Sequence, residues 1–240
     1  MRNRKWFLTV MFVLFSLGPA VVAGTDEISE AMARGNDAFH RGAYQLAIRE
    51  YQSALVWPGK HEPRTHFNIG VCQYKLGRLQ QAVDEYHQAI KQQKGKYPAA
   101  SFALGVALQD LNRHLEARDA FAQAIETSAG KHVGALFELG LYAQCDGDYE
   151  KAMNYYQRSI KQTRERLPAS HNNLGVILAS LGRMDEGLRE FEIALEQSGG
   201  KFAEARDNLA LCQKVLTSKF STQIARLKMS GRQSSTHAAE

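Results

Sequence analysis

Glycine recurs at Gly35, Gly70, Gly105, Gly140 and Gly175, a constant step of 35 residues. A fixed period of this length confines a chain to architectures in which one small unit stacks on copies of itself, because so short a unit cannot bury its apolar face alone. Other columns move with the glycines. Seven residues on stand Gly42, Gly77, Asn112, Gly147 and Gly182, all types that tolerate a tight turn. Twelve on are Ala47, Ala82, Ala117, Ala152 and Gly187. Sixteen on are the aromatics Tyr51, Tyr86, Phe121, Tyr156 and Phe191, and nineteen on are Ala54, Ala89, Ala124, Ser159 and Ala194. So many columns in register exclude chance.

Each unit reads as two helices around a turn. Before the turn the apolar spacing is helical and proline is absent. Beyond it, small and bulky apolar residues follow at steps of four and three, so that Ala82, Tyr86, Ala89 and Ile90 share one stripe. Glycine or alanine at a helix crossing lets two backbones approach, and an aromatic fills the space beside them. Pro58-Gly59, Gly95, Gly130 and Gly199-Gly200 end the second helices, as left-handed caps do, and Pro63, Pro98 and Pro168 fall where the next first helix begins. The pattern predicts an all-α solenoid with repeats at 31–62, 63–97, 98–132, 133–167 and 168–201, after a lead-in at 24–30.

Phe202 to Leu216 begins a sixth first helix, with Leu209-Ala210 in the apolar-glycine columns, but Thr222 and Arg226 occupy the alanine and aromatic columns of its second helix. Residues 202–228 are therefore expected to cap the stack, and the Ser-rich 229–240 to form a disordered tail. Phe220, Ile224 and Leu227 make an apolar strip beside Lys219, Arg226 and Lys228. A basic amphipathic strip of this kind can serve contact with a membrane or partner, but cap packing is the reading adopted here.

Residues 1–23 have the order of an export signal: Arg2, Arg4 and Lys5, an apolar run from Trp6 to Leu17, then Gly18-Pro19 and the small-residue site before Gly24. Gly18-Pro19 cuts the apolar helix to about a dozen residues, against roughly 20 for a membrane span. Cleavage is the reading adopted, with retention as an inner-membrane anchor the alternative, and the only one that gives membrane contact. Either way the remainder is exported, to the periplasm if the source is bacterial. Three of the five net positive charges belong to this segment, which leaves the remainder at +2 and takes away the support for nucleic-acid binding. Cys72, Cys145 and Cys212 are too few and too widely spaced for a disulfide framework. They read as small buried apolar residues, or as a source of an intermolecular disulfide.

Leu-Gly or Ile-Gly in the first helix, a turn glycine, then Ala, Tyr or Phe, and Ala in the second helix resemble tetratricopeptide repeats (TPR). The resemblance covers about 31 to 197 and departs in two respects. The unit is one residue longer than usual, with the extra residue in the loop between repeats, and Gly187 stands in the place of the packing alanine of the fifth repeat. A helical glycine costs about 1 kcal/mol relative to alanine, so a looser fifth unit is expected. The resemblance implies a right-handed α-solenoid whose first helices line a concave groove.

On that groove the column after each glycine supplies Asn36, Val71, Val106, Leu141 and Val176, an apolar ladder, and Leu211 continues it in the cap. Three residues before the glycines stand Phe67, Phe102, Phe137, Asn172 and Asp207; two before stand Asn68, Ala103, Glu138, Asn173 and Asn208. Apolar steps flanked by amides suit an extended or helical peptide, since each amide donates to and accepts from a peptide backbone. Packing between neighbouring helices is the competing reading of the ladder. Some relatives clamp acidic C-termini with Lys, Asn and Arg. Asn36 and Asn68 match the amides of that pattern, but Met32, Ala99 and Ala103 replace the cations, so the clamp is rejected. Lys75 alone gives little support to an acidic ligand.

No frame for catalysis stands out. His61 and His66 are five apart with Pro63 between, which is not a zinc-helix spacing. Gly95-Lys96, Gly130-Lys131 and Gly200-Lys201 are followed by Tyr, His and Phe rather than Ser or Thr, and read as helix ends. His40, His87, His114, His132 and His171 are expected to be solvated or capping. The sequence therefore predicts a non-enzymatic scaffold, without metal or cofactor, that holds a protein or peptide as an adaptor in envelope assembly, secretion or a surface complex. Self-assembly into homo-oligomers is the alternative.

Overall fold

In a computed structural model the described residues are 19–57, 59, 61–162 and 166–218. Among them the helices pair in sequence: α1 (Pro19–His40) with α2 (Tyr44–Ala54), α3 (Glu62–Lys75) with α4 (Leu79–Gln92), and α5 (Pro98–Asp110) with α6 (His114–Thr127). The series continues with α7 (Val133–Cys145) and α8 (Tyr149–Gln162), then α9 (Pro168–Ser180) and α10 (Met184–Gln197), and α11 (Ala203–Ser218) closes it. The expected lead-in at 24–30 lies within α1, which starts at Pro19. Proline is favourable at a first helical position, and nothing between it and Gly35 breaks the helix. Thr222, Arg226, the strip of Phe220, Ile224 and Leu227, the tail at 229–240 and most of the export segment lie outside the described residues.

The turn columns behave as their residue types require. Gly42, Gly77, Asn112, Gly147 and Gly182 have φ of +74°, +72°, +60°, +77° and +81°. Each lies inside the same backbone bond: the N–H of Ala43, Arg78, Arg113, Asp148 and Arg183 donates to the carbonyl of Ala38, Gln73, Leu108, Ala143 and Leu178, all at 2.9 Å. This left-handed cap satisfies a carbonyl that the ending helix leaves free. Between repeats the chain uses two left-handed residues in succession, Lys94 and Gly95, Ala129 and Gly130, or Gly199 and Gly200.

The core is the set of columns. The alanines at 47, 82, 117 and 152 and the aromatics at 51, 86, 121, 156 and 191 are all buried. A Cβ built on Gly35, Gly70, Gly105, Gly140 or Gly175 would lie 2.4, 2.6, 2.6, 2.5 or 2.7 Å from the aromatic ring of its own repeat. No real Cβ sits so close, so glycine is required there by the ring and not by backbone conformation. Gly187 is not a defect either. Its Cβ would lie 2.9 Å from the carbonyl oxygen of Gly175 and 3.2 Å from Ala179 Cβ. The fifth unit is packed more closely than the others at this crossing, against the looser packing expected from helix propensity alone.

Cys72 and Cys212 are buried and Cys145 is exposed, all three as free thiols. Burial pushes the Cys72 and Cys212 thiols up to about 11. The reading as small buried residues thus describes two of the three, and Cys145 is the exception because it ends α7 beside the inner turn. In a thiol titration of the native protein one equivalent is expected to react at once and two only on unfolding. Prompt reaction of more than one would contradict the packing described.

Candidate partner-binding groove

First helices touch first helices along the stack, α3 on α5 and α9 on α11, in addition to their own partners. That is the arrangement expected of helices on the inside of a curved stack. Phe67, Phe102 and Phe137 project from α3, α5 and α7 with ring centroids 5.9, 5.6 and 5.8 Å from Tyr86, Phe121 and Tyr156. These tilted ring pairs key the groove wall into the core, and each Phe stays half-buried. Val71, Val106 and Leu141 are half-buried in the same way. The two readings of the ladder therefore combine: one side of each residue packs between repeats and the other remains open.

The amide columns serve the tyrosines first. The Tyr51 hydroxyl donates to Asn36 Oδ1 at 2.8 Å and is also bonded to Asn68 of the next repeat. Burial, with the neighbouring Cys72, pushes that phenol up to about 12, and the Asn68 bond acts the other way. In the same register Asn173 Nδ2 reaches the Tyr156 hydroxyl at 3.4 Å, which donates to Gln144 Oε1 at 2.9 Å. From there a chain of amides crosses into the cap: Asn172 Nδ2 donates to Asn173 Oδ1 at 3.2 Å, and Asn208 Nδ2 to Asn172 Oδ1 at 2.9 Å. Asn172 and Asn173 are 0% exposed, Asn208 1% and Val176 5%. These four expected groove residues are consequently not open to a ligand in this structure, because they are committed to the interior of the fifth repeat and its cap.

Open groove lies toward the N-terminus. Between α1 and α3 a cleft of about 550 Å3 is lined by Ile28, Ser29, Met32, Asn36, His61, Arg64 and Asn68. It joins two of the expected groove residues, Asn36 and Asn68, with Met32 and His61, which the sequence assigns to no groove, and with Ile28, Ser29 and Arg64. Ile28, Ser29 and Arg64 were missed because the columns were counted from the glycines outward and stopped short of the helix N-termini. Lys75 is exposed, and half-buried Glu138 accepts from Gln109 Nε2 at 3.4 Å.

The histidines follow the expectation except at His171. His40, His87 and His114 are exposed. His171 is buried, with Nδ1 2.7 Å from Glu190 Oε2, and His66 repeats the pairing on Glu85 at the same distance and column. His132 caps α7, its Nδ1 accepting from the Ala135 N–H at 3.2 Å, and stacks on Phe102 at 4.7 Å. Burial holds its pKa below the ordinary 6.5. The unfolded chain then takes up the proton first, so the stability this neutral histidine contributes is full above about 6.5 and declines as pH falls below it. Denaturant unfolding at pH 7.5 and 5.5 is expected to show the advantage of wild type over His132→Asn shrinking at the lower pH. A pH-independent difference would contradict the assignment. Among the described residues no group of three or more His, Cys, Asp or Glu is arranged to hold a metal ion, and no helix is long and apolar enough to cross a membrane.

The family model described as "Tetratricopeptide repeat" matches residues 67–132 and 137–202. The chain belongs to the tetratricopeptide repeat family. A TPR stack is a protein-interaction scaffold, and that much holds here. Solved TPR-type structures share the fold. PilF of Pseudomonas aeruginosa is 16% identical, with a TM-score of 0.64 over 85% of this chain and 97% of its own. MamA of Desulfovibrio magneticus RS-1 is 18% identical, with a TM-score of 0.60 over 74% and 98%. YrrB, titled a TPR protein with an unusual peptide-binding site, is 20% identical, with a TM-score of 0.57 over 77% and 88%. At these identities the likeness is one of fold. No curated protein matches the TPR sequence.

Proposed function

We propose that the protein is an exported, non-enzymatic adaptor that holds a protein or peptide segment along the inner face of its first helices, in envelope assembly, secretion or a surface complex. The observation that carries this reading is the α1–α3 cleft, continued by the half-buried ladder Val71, Val106 and Leu141. It brings the apolar Ile28 and Met32 together with the Asn36 and Asn68 amides and the Arg64 guanidinium, a composition suited to a peptide. Because the helices are already packed, binding would cost the scaffold little ordering. YrrB, whose title describes a peptide-binding site on a similar fold, is compatible with this reading.

Ser29→Glu with Arg64→Glu changes two exposed cleft residues and leaves the core columns untouched. Affinity capture from envelope extract is expected to lose the bound protein with this variant and to keep it with Leu115→Glu, on the exposed surface of α6. Equal capture by the cleft variant would move the site elsewhere. Homo-assembly is the second reading, favoured by the exposure of Val56 (72%) and Trp57 (41%) after α2. A mass that rises with concentration in light scattering, and returns to the monomer value in Val56→Ser with Trp57→Ser, would support it.

A further inference from the structure

The two edges of the stack differ in charge. Short connections make successive helices antiparallel, so every second helix ends and every following first helix begins on one edge, and the turns inside the repeats fall on the other. On the first edge, the α4–α5, α6–α7 and α8–α9 junctions run from the last turn of one helix to the first turn of the next. They carry Lys91, Lys94, Lys96, Lys131, Lys161 and Arg166, all exposed. Against these six cations the described residues of the three junctions hold one acid, Glu126. Lys96, Lys131 and Arg166 stand one 35-residue step apart, so the same loop position presents a cation three times in succession. The outer junctions are balanced, Arg64 against Glu62, and Lys201 with Arg206 against Glu196 and Glu204.

The opposite edge keeps its arginines occupied. Arg41 is 2.7 Å from Asp37, Arg113 2.6 Å from Glu116, Arg118 2.6 Å from Asp146 and Arg183 2.7 Å from Glu186. None of the six cations of the first edge pairs with a carboxylate among the described residues. Like charges gathered in this way repel one another, and an anionic surface laid against them turns repulsion into attraction. Two further features of the same edge indicate the kind of surface. Val56 and Trp57, between α2 and α3, are 72% and 41% exposed, and an exposed indole beside an aliphatic side chain suits the headgroup level of a bilayer. In addition, α1 starts on this edge at Pro19, and the apolar sequence Trp6 to Leu17 precedes it in the chain. An acidic protein would account for the cations alone, whereas a bilayer accounts for all three features. We propose that this edge docks on an anionic lipid bilayer, with headgroups against the cations of the three central junctions and Val56 and Trp57 seated at the interface. The contact is peripheral, needs no retention of residues 1–23 and uses none of the cleft residues, so it stands whether or not the cleft takes a partner.

Trp6→Phe leaves Trp57 as the only tryptophan of the full chain. With vesicles of equal parts phosphatidylcholine and phosphatidylglycerol, brominated acyl chains are expected to quench Trp57 fluorescence, and high salt to reverse the quenching. No quenching, or quenching as strong on pure phosphatidylcholine, overturns the proposal. A Trp57 shift that appears without vesicles as protein concentration rises assigns the edge to a second copy and overturns it as well. By the same quenching, Lys94→Glu with Lys96→Glu and Lys131→Glu is expected to weaken vesicle binding at least about tenfold. The same change of charge on the opposite edge, Lys75→Glu with Arg78→Glu and Lys151→Glu, is expected to weaken it no more than about twofold. Equal losses would show that net charge and not this edge governs binding, and would overturn the proposal. Should the first triple variant lose its helicity, the quenching of Trp57 in the Trp6→Phe chain decides.

Discussion

Phe121→Ala is expected to lower the unfolding free energy by about 3–5 kcal/mol, the range for removing a fully buried aromatic. Phe121 is 0% exposed in the central repeat, where its ring fills the space beside Gly105 and meets Phe102 at 5.6 Å. The decisive readout is its coupling to Gly105. Gly105→Ala alone places a Cβ 2.6 Å from the ring. The resulting overpacking costs about 1–3 kcal/mol, more than the helix propensity gained, about 1 kcal/mol. Once Phe121→Ala has removed the ring, the same Gly105→Ala change is expected to reverse sign and stabilise. Denaturant unfolding of the four proteins in this cycle checks both signs. A Gly105→Ala cost that is unchanged in the Phe121→Ala background would show that the ring is not what requires glycine.

Asn172→Ala is expected to cost about 2–3 kcal/mol, the upper part of the range for breaking a buried hydrogen bond so that polar groups lose a partner. Asn208 loses an acceptor and Asn173 a donor, both in a 0–1% exposed setting. Lys214→Ala, on an exposed residue of the same α11, serves as the control and is expected to change stability by no more than about 0.5 kcal/mol. Thermal unfolding followed by circular dichroism distinguishes them. An effect of Asn172→Ala as small as that of the control would contradict the amide chain linking the fifth repeat to its cap.

The fold was legible because its contacts repeat. A glycine pressed against a ring at the same distance five times over leaves the same mark in the sequence five times, and so do the left-handed turns at Gly42, Gly77, Asn112, Gly147 and Gly182. What does not repeat was not legible. Gly187 looks like a weakened alanine column until the Gly175 carbonyl is seen 2.9 Å from where its Cβ would be. Asn172 and Asn173 look like ligand-facing amides because Asn36 and Asn68 stand in related columns, but cross-repeat bonds to Tyr156 and Asn208 use them internally. His171 looks like a surface residue until Glu190, nineteen positions on, is found 2.7 Å away. Column reading captures the shared packing, and single pairings between distant columns need coordinates. Of the expected groove residues, Asn36 and Asn68 line the N-terminal cleft, while the C-terminal amides belong to the interior.

The central claim, that partners are held on the inner face of the first helices, is tested most directly by site-specific photo-crosslinking in living cells of the source. A benzophenone amino acid would replace Ser29, Val71 or Leu115 one at a time. Adducts of one common protein from positions 29 and 71, and none from position 115, are the predicted result. Adducts from position 115 alone, on the outer helix α6, would contradict the claim and place the interaction on the opposite surface.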